Sequence, residues 1–123
     1  MEQQQTDHHH SGHQHQNLIN TLLECAQACE RCMSACLDED DVTPMAHCIE
    51  LDRDCAEVCF LGAKLLIRDA EVAHAYLEVC EEACRIGAEE CGKHDHEHCK
   101  ECAEACKKCA EACHEHHGKQ QLK

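Results

Sequence analysis

The chain has 123 residues, a formal net charge of -14, 2% aromatic residues, no Trp and fifteen cysteines. That length supports one domain with a core of three or four helices, and the strong acidity excludes nucleic acid as a partner, because phosphate binding needs a basic surface. Few large apolar side chains at such a charge would alone point to disorder; the regular spacing of the cysteines points the other way.

Residues 1–16 are polar, rich in Gln and in His (His8, His9, His10, His13, His15), and read as a flexible tail, with 17–117 as the folded unit and 118–123 as a C-terminal tail. Met1 to Asp7 holds neither a basic cluster nor an apolar run. The expectation is therefore a cytoplasmic protein with no membrane span, where thiols stay reduced and many cysteines suggest metal ahead of disulfides. Asn17 is placed to cap a first helix that runs to about Leu37 and ends at the acidic run Asp38 to Asp41. Thr43 and Pro44 open a second helix reaching about Ile67. Asp69 can cap a third, which stops at Gly92, expected as a left-handed terminator. A fourth starts near Asp95 and ends before Gly118.

The cysteines fall on these helices at steps of three, four and seven. Cys25, Cys29, Cys32 and Cys36 mark the first; Cys48, Cys55 and Cys59 the second; Cys80, Cys84 and Cys91 the third; Cys99, Cys102, Cys106, Cys109 and Cys113 the fourth. Residues three and four apart share a helix face, so thiols occupy the stripe that Leu and Val take in an ordinary bundle. Short connections favour antiparallel neighbours, and the predicted fold is all-α, an up-down-up-down four-helix bundle with a thiol-lined core. Its seams run through Leu18, Leu22 and the first cysteine set; Met45, Cys48, Asp52, Cys55, Cys59, Gly62 and Leu66; Ala73, Leu77, Cys80, Cys84, Gly87 and Cys91; and Cys99 through Cys113. Asp52 is the sole acidic residue on a traced seam and has no obvious mate. One end gathers Leu18, Leu22, Leu65, Leu66 and Leu77 as an apolar plug. The other gathers soft sulfur and imidazole, with Met45, His47, His94, His96 and His98 as candidate ligands at the mouth. His114, His116 and His117 read as complements to the C-terminus of the fourth helix.

Cβ atoms at i and i+3 or i+4 stand about 5–6 Å apart, too far for the about 3.5–4.5 Å of a disulfide. Six C-x-x-x-C pairs are thus placed to hold an ion between them: Cys25/Cys29, Cys32/Cys36, Cys55/Cys59, Cys80/Cys84, Cys102/Cys106 and Cys109/Cys113. Charge separates the metals. Zn(II) on four thiolates leaves a buried unit of charge about -2, whereas Cu(I) replaces each thiol proton one for one and leaves the core near neutral. Uncompensated buried charge costs several kcal/mol per ion, so a core lined throughout with thiols points to multiple Cu(I) ions per chain, with all fifteen cysteines as ligands.

Cys-Ala-Gln-Ala-Cys at 25–29 and Cys-Ala-Glu-Ala-Cys at 102–106, within stripes repeated on four helices, resemble the cysteine-rich four-helix-bundle copper storage proteins of bacteria, in their cytosolic branch. The resemblance covers about residues 17–117. It implies high-capacity Cu(I) storage or detoxification, a His- or Met-bearing mouth, partners among copper chaperones or copper enzymes, and a homo-oligomer, often a tetramer. No Ser/His/Asp arrangement, phosphate loop or paired inward carboxylate argues for an enzyme. The alternatives carried forward are an iron–sulfur or redox electron-transfer protein and a zinc buffer.

Overall fold

The computed structural model describes the backbone of residues 5–121 and the side chains of 15–117. Four helices follow one another: α1 (Gln5–Leu37), α2 (Ala46–Ile67) behind a one-turn 3-10 segment (Thr43–Met45), α3 (Ala73–Cys91) and α4 (Glu97–Gln121). Each packs against its two neighbours in the cyclic order α1, α2, α3, α4, which is the antiparallel bundle that the short connections demand. Every residue of the four seams with a side chain is buried, and Gly62 and Gly87 lie inward among them.

The leucine end forms as expected: Leu22 and Leu77 are fully buried, with Leu18, Leu65 and Leu66 beside them. Ile19, Ala26, Ala56 and Ala63 complete the packing. Alanines flanking the cysteine stripes let the helices approach closely, so small sulfurs from opposite walls can meet.

Helix boundaries depart from the sequence reading in four places. Asn17 does not cap α1; the helix begins at Gln5, and Asn17 lies inside it, its carbonyl accepting a bond from Thr21 Oγ1 at 2.9 Å. The reason is tertiary: His15, two residues earlier, is only 6% exposed and packs against rings from two other helices. The side chains of His8, His9, His10 and His13 lie outside the described residues. Asp69 does not cap α3 but terminates α2. Its φ is 58°, and the N–H groups of Ala70 and Asp69 donate to the carbonyls of Leu65 (2.9 Å) and Leu66 (3.1 Å), the paired bonds of a Schellman end. Gly92, by contrast, stays right-handed at φ -65°. The chain tightens there, with Lys93 and His94 N–H groups donating to Glu90 and Cys91 carbonyls, both at 3.1 Å. Finally, α4 continues through Gly118 to Gln121.

Candidate metal centre

All fifteen cysteines are free thiols and none is more than 1% exposed. Nearest sulfurs stand 3.3–4.0 Å apart, well beyond the ~2.05 Å of a disulfide. They form a column that runs inward from the His-bearing end.

At the mouth, His98 Nδ1 faces three sulfurs: Cys99 at 3.6 Å, Cys32 at 3.7 Å and Cys36 at 3.9 Å. Its Nε2 lies 3.0 Å from Glu39 Oε2. When Nε2–H donates to that carboxylate, the lone pair of Nδ1 is left aimed at the thiols, the way a supporting carboxylate commonly fixes a ligand histidine. The same bond holds the Glu39 carboxyl below its usual range. His96 stacks on His98 with ring centres 5.3 Å apart, while His94 is tied to Glu90 at 3.1 Å. Of the remaining mouth candidates, Met45 is buried in the core and His47 is an exposed partner of Glu50. The structure therefore brings one of the five proposed mouth residues, His98, directly to the sulfurs.

Next comes a layer the sequence reading missed in part. Asp52 is fully buried, and its mates are thiols: Oδ1 accepts from Cys102 at 3.2 Å and from Cys91 at 3.4 Å, and Oδ2 from Cys48 at 3.8 Å. Cys48 and Cys91 sulfurs approach to 3.3 Å. Burial, then the nearby Cys102, pushes the Asp52 carboxyl up to about 8, so in the empty core it is a neutral acid. The signal was visible, since Asp52 follows Cys48 by four residues on the same stripe, but the identity of its partners across the bundle was not.

Deeper still, Cys25 lies 3.8 Å from both Cys84 and Cys106 and 3.9 Å from Cys55. Cys59 and Cys84 meet at 3.5 Å, and Cys29 and Cys106 at 3.6 Å. Two of these contacts, Cys25 with Cys84 and Cys55 with Cys106 at 3.9 Å, cross the diagonals of the bundle. Pairs within one helix, such as Cys55/Cys59 at 3.9 Å and Cys102/Cys106 at 4.0 Å, are no closer than pairs between helices. The natural unit is thus a set drawn from several helices. Cys25, Cys55, Cys59 and Cys84 form one such set; Cys25, Cys29, Cys55 and Cys106 another; Cys32, Cys36, His98 and Cys99 a third; and two sets include Asp52. Cys80, Cys109 and Cys113 complete the column beside the leucines, Cys80 turning toward the Val58 carbonyl.

The donor sets suit a soft ion. For a thiolate–metal bond of about 2.3 Å, sulfurs 3.3–4.0 Å apart subtend roughly 90–120° at a shared ion, so an ion can be held by three sulfurs with little movement of the helices. Burial holds the empty thiols nearest the mouth in their protonated form: Cys36 is raised, and Cys99 is pushed up to about 11. Each bound ion then displaces protons, and a monovalent ion does so without leaving net charge in a low-dielectric interior.

Comparison with known proteins gives a concordant result. The family model for copper storage proteins matches residues 11–118. The cysteine-rich protein YhjQ of Bacillus subtilis (strain 168) is 40% identical over 84 residues, 68% of this chain and 78% of that one. Among solved structures, the Cu(I)-bound copper storage protein BsCsp3 superimposes with a TM-score of 0.80 at 38% identity, over 82% of this chain and 95% of its own. The copper storage protein Ccsp from Streptomyces lividans, loaded with 10 copper equivalents, superimposes with a TM-score of 0.77 at 45% identity over 80% of each chain. With its sulfur column, its fold and its sequence in agreement, this chain belongs to the copper storage protein family.

Proposed function

We propose that this protein stores Cu(I) in bulk, binding it through the thiolates of the interior column. The observation that carries the reading is the column itself: fifteen buried free thiols, twelve of them with a sulfur or His98 nitrogen neighbour at 3.3–4.0 Å, reached from the surface through His98. Ions come in at the His98 mouth, pass to Cys32, Cys36 and Cys99, and move inward by exchange between neighbouring thiolates. The role is binding rather than catalysis. Cys25, Cys29, Cys48, Cys55, Cys59, Cys80, Cys84, Cys91, Cys102, Cys106, Cys109 and Cys113 serve as the interior ligands, with Asp52 as an oxygen donor among them.

A cytoplasmic location is supported by the name of a relative, the cytosolic copper storage protein from Streptomyces lividans; no helix among the described residues is long and apolar enough to cross a membrane. Assembly into a homo-oligomer and exchange of copper with chaperones or copper enzymes belong to the same reading. The test is an anaerobic titration of the reduced chain with Cu(I) against a competing chelator. Uptake approaching one ion per cysteine supports storage, whereas saturation at about three divalent ions, the most that fifteen thiols can hold in complete four-sulfur sites, would give the protein to zinc instead.

A further inference from the structure

Copper storage leaves one group of ligating side chains unused. At the leucine end, beyond the sulfur column, three imidazoles from three helices converge: His15 of α1, His74 of α3 and His116 of α4. Ring centres lie 5.1 Å apart for His15 and His116, 5.7 Å for His15 and His74, and 5.0 Å for His74 and His116. We propose that His15, His74 and His116 form a binding site for one divalent metal ion of the zinc class, separate from the thiol column.

Two observations carry it. First, His116 Nε2 and His74 Nδ1 are 3.2 Å apart, close to the edge of about 3.3 Å that a tetrahedron with metal–nitrogen bonds of about 2.0–2.1 Å requires. Second, His15 is 94% buried, and its Nδ1 is a buried polar atom with no hydrogen-bond partner. A metal ion held among the three rings would give that atom a partner.

The donor set also separates this ion from the stored one. All three donors are nitrogen, which suits Zn(II), Ni(II) or Cu(II), while soft Cu(I) finds its thiolates in the interior column. An ion here would pin the amino-terminal stretch of α1 to the start of α3 and the end of α4. That accounts for the burial of a histidine in a segment whose composition reads as an unstructured tail. The adjacent Glu81, His114, His117 and Arg85 form a different kind of group: there the Glu81 carboxylate binds one nitrogen of each histidine and the guanidinium, and although His117 Nδ1 is also buried without a partner, the group already holds its own anion.

The probe is Zn(II) added to the full-length reduced chain, with and without prior Cu(I) loading, followed through the imidazole ring signals by NMR. The expected result is that the rings of His15, His74 and His116 shift together and saturate with one bound ion, and that His74→Ala and His116→Ala each weaken this site by more than about 100-fold, beyond the 10- to 100-fold typical of losing a supporting residue. His114→Ala leaves the response intact. Circular dichroism confirms that each variant remains folded, and His15→Gln provides a second, more conservative variant. Unmoved rings at saturating Zn(II) in a folded chain would overturn the proposal, as would a response that survives loss of His74 and His116. Ring signals report this site whatever the thiols hold, so failure here and failure of the copper reading are distinguishable.

Discussion

Two inward glycines make opposite predictions from the same substitution. Replacing Gly by Ala inside a helix gains about 1 kcal/mol of intrinsic propensity. At Gly87 the added methyl would sit 3.5 Å from Cys106 Sγ and 3.9 Å from Cys55 Cβ, ordinary contacts; at Gly62 it would sit 2.7 Å from Cys80 Sγ, a distance that real side chains do not sustain. Gly87→Ala should therefore stabilise the empty protein by about 1 kcal/mol. Gly62→Ala must displace the Cys80 sulfur, with Leu22 and Tyr76 already 3.6 Å from the added methyl, and overpacking of this kind costs about 1–3 kcal/mol, leaving a net loss of about 1 kcal/mol. Urea unfolding under anaerobic, reducing conditions measures both. Removing the obstructing sulfur with Cys80→Ala should convert Gly62→Ala into a stabilising change, a coupling of about 2 kcal/mol in a double-mutant cycle. If Gly62→Ala stabilises as much as Gly87→Ala in the parent chain, the Cys80 sulfur is not held where it is described and the reasoning fails.

Asp52 predicts a pH dependence. Its carboxyl titrates near 8 in the fold against an ordinary 3.8, so between those values the folded chain holds a proton that the unfolded chain has released, and stability falls as pH rises. From about pH 5 to about pH 8 the parent should lose roughly 4 kcal/mol relative to Asp52→Asn, at ~1.4 kcal/mol per pH unit; parallel stability curves would refute the assignment. At Asp69 the left-handed backbone disfavours any residue with a Cβ. Asp69→Gly should stabilise by about 0.5–1 kcal/mol, read as a higher urea midpoint with unchanged slope, and a lower midpoint would contradict the Schellman geometry.

The column of sulfur was legible because a helix converts spacing into direction. Steps of three and four fix which way Cys25 or Cys106 points once the segment is helical, and no other arrangement hides fifteen thiols. Which sulfurs meet was not legible: the diagonal contacts of Cys25 with Cys84 and Cys55 with Cys106 depend on the axial register between helices, which no single helix encodes. Local termination signals misled for a related reason. Gly92 permits a left-handed end without requiring one, while Asp69 adopts it because the chain must turn sharply between α2 and α3 with Leu65 and Ala70 folded onto the core. The start of α1 was hidden behind composition, since a polar, His-rich stretch signals a tail unless one knows that His74 and His116 wait opposite.

Complete enclosure of the sulfurs has a kinetic corollary. Gaps between close-packed helices admit no molecule the size of glutathione, so the soluble thiols of a cell reach the deeper cargo directly only during moments when the helices part, and otherwise trade through the His98 mouth. Residence time then belongs to the breathing of the scaffold as much as to bond strength. A substitution that loosens the leucine layer, touching no sulfur at all, would shorten how long the contents are kept.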